Sequence, residues 1–146
     1  EIGAAFGLTQ LKKLENNIKI RQENFIIQCN YFNKYPDLFS VPVEHESFNT
    51  AWLAFPVLIS ESAPFSRKEF QIFLEKRNIQ TRTVWTGNVL RQPMAKTFDK
   101  KTNTHGYPNS DAIMERGVLV PVHHGMTNEM FEKVHSTIDL FLSKYL

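Results

Sequence analysis

The sequence predicts a mixed α/β (α+β) domain in which helices pack on one side or another of a small sheet. Three observations carry this. Apolar residues recur at three- and four-residue steps in the first thirty positions, around residue 70, and over the last twenty. Short runs rich in aromatic and β-branched residues lie between those helical stretches. The two kinds of segment alternate along the chain, the pattern of helices covering a sheet.

The first helix is read over residues 1–35. Leu8, Leu11, Leu14, Ile18, Phe25, Cys29 and Phe32 fall on one face, opposite Lys12, Lys13, Glu15, Asn16, Lys19 and Glu23. Pro36 ends it, because proline disfavours helix in the residue before it. Extended chain follows over 39–43, and Trp52 to Ile59 reads as a buried strand. Pro56 places that strand at an edge or a bulge. Ser66-Arg67-Lys68-Glu69 fits a capping box, with Phe65 and Phe70 spaced for a hydrophobic staple. The helix it starts turns Phe70, Phe73 and Leu74 inward and ends near Asn78. Residues 79–85 alternate, grouping Ile79, Thr81, Thr83 and Trp85, and read as a strand.

Residues 86–107 are polar and irregular; long loops within compact domains tend to be functional or disordered. Asn109 or Ser110 is expected to cap a short helix stopping at Gly117. Val118 to Val120 is a short strand closed by Pro121. Thr127 caps a last helix with Phe131, Val134, Ile138, Phe141 and Tyr145 on its core face. One domain over 1–146 is expected. The opening Glu1-Ile2-Gly3, without an initiator Met and already helical in character, reads as a piece of a longer protein.

Composition narrows the functional classes. A formal net charge of +2, with bases scattered among acids, does not make a nucleic-acid footprint. One cysteine, Cys29, excludes an internal disulfide and any multi-cysteine metal site. No apolar run is long enough to span a bilayer and no export signal opens the chain, so a cytoplasmic location is expected.

Few residues qualify for chemistry. His123 and His124 stand between a strand and a helix. Adjacent residues in extended chain face opposite ways, so the first reading is one packed and one solvated, with ligand contact as the alternative. The loop from Thr86 to Pro93 offers Gly87, Asn88, Arg91 and Gln92, a set suited to hydroxyls and phosphates. A solvated loop and a binding loop stand equal on chemistry alone. Trp52 and Trp85 read as core or pocket walls. No hydrolase elbow, zinc helix or dinucleotide fingerprint is present.

Several segments, in order, resemble one family. Glu1-Ile2-Gly3-Ala4-Ala5-Phe6-Gly7-Leu8-Thr9-Gln10-Leu11 is similar to a stretch of the DegT/DnrJ/StrS sugar aminotransferases. Trp52 to Pro56 and Arg67 to Ile79 resemble a strand and a helix of that family's small domain. Thr81-Arg82, Thr86-Gly87-Asn88, Arg91-Gln92-Pro93, Asn109 to Met114 and His123 to Thr127 resemble its nucleotide-sugar (keto-deoxyhexose) 3-dehydrase branch, used for lipopolysaccharide deoxysugars. The resemblance implies the C-terminal small domain of a fold type I enzyme dependent on pyridoxal or pyridoxamine phosphate.

On that footing the cofactor, its Lys (aminotransferase) or His (dehydrase), and the domain holding them lie upstream of Glu1. The chain itself then carries no catalytic residue, metal or bound cofactor. Trp85-Thr86, where the aminotransferases usually have His-Tyr, favours the dehydrase branch. The resemblance implies Trp85, Asn88, Arg91 and Gln92 as nucleotide-sugar contacts, with His123 or His124 behind them. A homodimer of the full-length protein is expected. A sugar aminotransferase, and a non-catalytic binding module or remnant, are the alternatives.

Overall fold

A computed structural model describes residues 1–146. The elements run α1 (Ile2–Leu11), α2 (Leu14–Phe32), β1 (Phe39–Ser40), β2 (Phe55–Ile59), α3 (Arg67–Glu75), β3 (Arg82–Thr83), two 3-10 turns (Val89–Arg91 and Pro93–Lys96), α4 (Pro108–Arg116), β4 (Gly117–Val120) and α5 (Asn128–Leu142). The four strands form one antiparallel sheet in the order β1-β2-β4-β3.

The register aligns the core face. Phe39 lies opposite Ile59, Val57 opposite Val118 and Phe55 opposite Val120, all buried. Three helices cover this face with aromatic rings. Phe25 and Phe32 of α2 sit 5.3 and 5.4 Å from Phe55. Phe141 of α5 lies 5.4 Å from Phe70 and 5.1 Å from Phe73, both on α3. Seven of the twelve phenylalanines lie in this one buried core, where edge and tilted contacts add to burial. On the opposite face, Ile113 of α4 shares an apolar groove with Pro56 and Leu58.

The capping box forms as spelled. Ser66 Oγ accepts from the Glu69 amide at 3.2 Å and the Ser66 amide donates to the Glu69 carboxylate at 2.7 Å. Phe65 and Phe70 make the staple, with ring centroids 6.1 Å apart. Thr127 caps α5. Asn78 ends the α3 region in a left-handed turn, φ 60°, a conformation asparagine tolerates.

Several expectations are corrected. The first helix is not continuous over 1–35: it breaks at Lys12–Lys13, and no residue of α1 is buried. Leu8, Leu11 and Leu14 are therefore exposed, while Phe25 and Phe32 carry the core contacts. The Trp52–Ile59 strand shortens to Phe55–Ile59, the ladder with β4 ending at the Phe55–Val120 pair. β2 is internal rather than an edge strand; Pro56 is accommodated where β1, which reaches only Leu58, has already ended. α4 starts at Pro108 with Tyr107 at its N-cap, so neither Asn109 nor Ser110 caps it; proline suits the first helical position, where its missing N–H costs nothing.

The strand expected over 79–85 reduces to Arg82–Thr83. Ile79 and Thr81 are buried as the alternation requires. Thr81 is drawn toward α3 instead, its hydroxyl donating to Glu75 at 2.7 Å and accepting from Gln71 at 3.1 Å. Trp85 leaves the pattern altogether. Its φ is +45° and it is 89% exposed, so it is not a core residue. Tyr145 lies beyond the end of α5 and is partly exposed, though its ring still touches Phe65 and Phe141.

Candidate functional site: the Trp85–Gln92 loop on helix α4

The loop after β3 is pinned to α4 by close backbone approach. Gly87 has φ +64°, and a Cβ there would lie 2.3 Å from Met114 Cβ and 2.6 Å from Met114 Cα. Only glycine combines that backbone conformation with that contact. Gly117, where α4 passes into β4, is equally crowded: a Cβ would lie 2.5 Å from the Ile113 carbonyl oxygen and 3.0 Å from Val84.

Polar bonds complete the attachment. Asn88 is buried, and its side-chain oxygen accepts from the Leu90 amide at 3.0 Å, capping the first 3-10 turn. Its amide nitrogen donates to Asp111 Oδ1 at 2.7 Å. Arg91 forms a two-point pair with the same carboxylate, Nε to Oδ1 at 2.9 Å and Nη2 to Oδ2 at 2.7 Å. This fork-on-carboxylate geometry fixes orientation as well as charge. The bonds from Arg91 and Asn88 hold the Asp111 carboxyl well below the usual range, at about 2. Gln92 Nε2 donates to the Thr86 carbonyl at 2.9 Å, closing the loop on itself.

The predicted residues therefore divide. Trp85, Asn88, Arg91 and Gln92 are brought together at the start of β4. Asn88 is committed to shaping the loop, whereas Arg91 stays 64% exposed and Trp85 stands clear of the surface. His123 and His124 are not brought to this loop. They follow the other end of β4, separated from it by a four-residue strand, about 13 Å at the ordinary rise per residue. Both are exposed, so neither is the packed member of the pair. The His123 carbonyl accepts from Asn24 at 2.7 Å, and its Nδ1 accepts from the Gly125 amide at 3.1 Å.

Two members of the site escaped the sequence reading. Asp111 was visible only within the Asn109–Met114 resemblance. Arg67 carries no local signal beyond its place after the Ser66 cap. Its Nε donates to the Glu115 carbonyl at 2.8 Å and its Nη1 to Gln71 Oε1 at 2.9 Å. It lines one furrow with Trp85 and Gln92 and an adjoining cleft with Arg91 and Asp111, Met114 being common to both.

The residues present do not fit the anchor of a pyridoxal cofactor. Every lysine is exposed, whereas an imine-forming lysine needs an apolar or cationic setting that lowers its pKa. Burial pushes the Cys29 thiol upward, with Glu44 adding to the effect, the opposite of an activated nucleophile. No three metal-ligating side chains cluster, and no helix is long and apolar enough to cross a membrane.

The sheet order and the loop-on-helix arrangement define a class: the small α+β unit of the sugar aminotransferase and dehydratase fold. The profile of the DegT/DnrJ/EryC1/StrS aminotransferase family matches residues 1–139, and the chain belongs to that family. It is 31% identical over 144 residues to a dTDP-4-dehydro-2,6-dideoxy-D-glucose 3-dehydratase of Saccharopolyspora spinosa, covering 99% of this chain and 31% of that protein. It is 27% identical over 141 residues to the lipopolysaccharide biosynthesis protein RfbH of Salmonella typhimurium, covering 97% of this chain and 32% of the relative. The fold matches an Escherichia coli GDP-4-keto-6-deoxy-D-mannose-3-dehydratase structure with bound hydrated PLP, at TM-score 0.81 and 24% identity over 91% of this chain and 33% of that one. The chain thus spans about a third of the length of the relatives it matches.

Proposed function

We propose that this chain is the C-terminal small-domain part of a cytoplasmic, pyridoxal/pyridoxamine phosphate-dependent nucleotide-sugar 3-dehydratase of deoxysugar or lipopolysaccharide biosynthesis. The observation that carries the reading is the near-complete alignment with 3-dehydratases: besides the Saccharopolyspora protein, a Yersinia pseudotuberculosis GDP-4-keto-6-deoxy-D-mannose 3-dehydratase aligns over 94% of the chain. When bound, the cofactor serves as the electron sink. This chain's part is to hold the sugar nucleotide through the Trp85–Gln92 loop. The exposed apolar surface supports the existence of a covering domain. Ile2, Phe6, Leu8 and Leu11 are all more than 60% exposed on one ten-residue helix, a density of apolar surface that marks an interface.

A second reading has its own support. A dTDP-4-amino-4,6-dideoxy-D-glucose transaminase of Escherichia coli aligns over 92% of the chain at 25% identity. The two differ in the product. The complete protein, loaded with cofactor and given a nucleotide-linked 4-keto-6-deoxyhexose, is expected to release a sugar short of one oxygen and carrying no new nitrogen. A product aminated at the expense of glutamate overturns the dehydratase reading. The 146-residue chain alone is expected to turn over neither substrate.

A further inference from the structure

Trp85 has two features that nothing within the chain compensates. It adopts the left-handed region, φ +45°, where a bulky side chain is strained. Its ring is also 89% exposed. The strained backbone is held in place, since the Trp85 amide donates to the Thr83 carbonyl at 2.8 Å and the Thr83 hydroxyl donates to the Trp85 carbonyl at 3.1 Å. Strain of this kind, kept by local bonds and yielding no packing, is a mark of function.

Beside it stand two guanidinium groups with donors to spare. Arg67 spends Nε and Nη1 on Glu115 and Gln71, leaving Nη2. Arg91 spends Nε and Nη2 on Asp111, leaving Nη1. An arginine offers five N–H donors, so each fork is fixed in place while part of it remains free for a ligand. Both line the cleft at Met114, and Arg67 continues into the furrow that holds Trp85. Glu115 lines the same cleft and contributes its carbonyl to Arg67.

We infer that Arg67 and Arg91 grip the diphosphate of a nucleoside diphosphate while Trp85 stacks on its base. Arg67 and the stacking role of Trp85 are thereby specified within the nucleotide-sugar reading on which the inference rests. Calorimetric titration of the 146-residue chain with GDP, dTDP and inorganic pyrophosphate tests it. Replacing Arg67 by Ala is expected to weaken all three by about tenfold, as for loss of a charge-assisted bond. Trp85→Leu is expected to weaken the two nucleotides by about tenfold, as for loss of a stacked base, and to leave pyrophosphate unchanged. Should Arg67→Ala unfold, Arg67→Lys takes its place, retaining the charge and losing the fork, with the same ranking expected.

Equal affinities in wild type and variants, or no binding at millimolar ligand, overturn the inference. So does shielding of Trp85 from acrylamide quenching in the complete protein without nucleotide, since a protein surface then covers the ring. A complete protein inactive on sugar nucleotides whose isolated chain still binds GDP in this pattern removes the functional reading alone. An active protein whose KM ignores Arg67→Ala removes the two-arginine grip alone.

Discussion

At Gly87 two demands coincide: a left-handed backbone and a neighbour's main chain at van der Waals contact. Gly87→Ala meets both at once. The backbone term of about 1–2 kcal/mol adds to a forced shift of Met114, of the order of 1–3 kcal/mol for an overpacked contact. Chemical denaturation is expected to show a loss of about 2–5 kcal/mol on those grounds; a loss under 1 kcal/mol would mean that the loop lifts off α4 cheaply. The residue scale is also where sequence reading was least complete. Gly87 was visible only as a flexible member of a polar loop, since what it touches lies 27 positions away on Met114. Arg91 and Gln92 were singled out for their donors. Their actual bonds, to Asp111 and the Thr86 carbonyl, could not be seen, because spacing along an irregular segment carries no periodicity from which to infer a partner.

At the scale of elements, helix α1 has no buried residue and its removal takes nothing from the core. Deleting residues 1–11 is expected to leave stability within about 0.5 kcal/mol, the range of surface changes, and to reduce self-association of the isolated chain. Thermal melting together with light scattering checks both. A large fall in Tm would show that α1 packs on the rest of the chain. Elements with local chemistry were the legible ones. The Ser66–Glu69 box, the Phe65–Phe70 staple and the Thr127 cap declare themselves within four or five residues, and all three form. Strand ends were not legible, because they depend on the partner: the pairing of β2 with β4 stops at Phe55–Val120, and the turn at Trp85 cuts β3 to two residues. The lysine pair at 12–13 marks the helix break only in hindsight, since the apolar spacing runs through it unbroken.

Across the whole molecule, α2, α5 and the exit of β4 are tied by a polar chain. Gln28 is fully buried, donating to the Pro121 carbonyl at 2.8 Å, while its side-chain oxygen lies 3.1 Å from His135 Nε2. That pairing puts the proton on Nε2. The His135 ring stacks on Tyr31 at 3.9 Å, and the Tyr31 hydroxyl donates to Asp139 at 2.7 Å. Burial, with Lys34 adding, lowers the His135 pKa from 6.5 to about 4, against the opposing pull of Asp139. The unfolded chain therefore binds the extra proton first. The contribution of His135 is fully present above pH 6.5 and is lost as pH falls from there toward 4. Denaturation midpoints measured across that range are expected to fall on acidification and to flatten in His135→Gln. An identical slope in the variant would assign the acid sensitivity elsewhere.

The Arg91–Asp111 pair has a consequence for how the chain tolerates change. It joins two points twenty residues apart, and between them every residue from Lys96 to Asn109 is exposed. That stretch works as a belt buckled where Arg91 and Asn88 meet Asp111. Doubling the length of such a loop costs only about 0.6 kcal/mol in closure entropy. The region can lengthen, shorten or carry an inserted tag while the buckle keeps the polar loop seated on its helix.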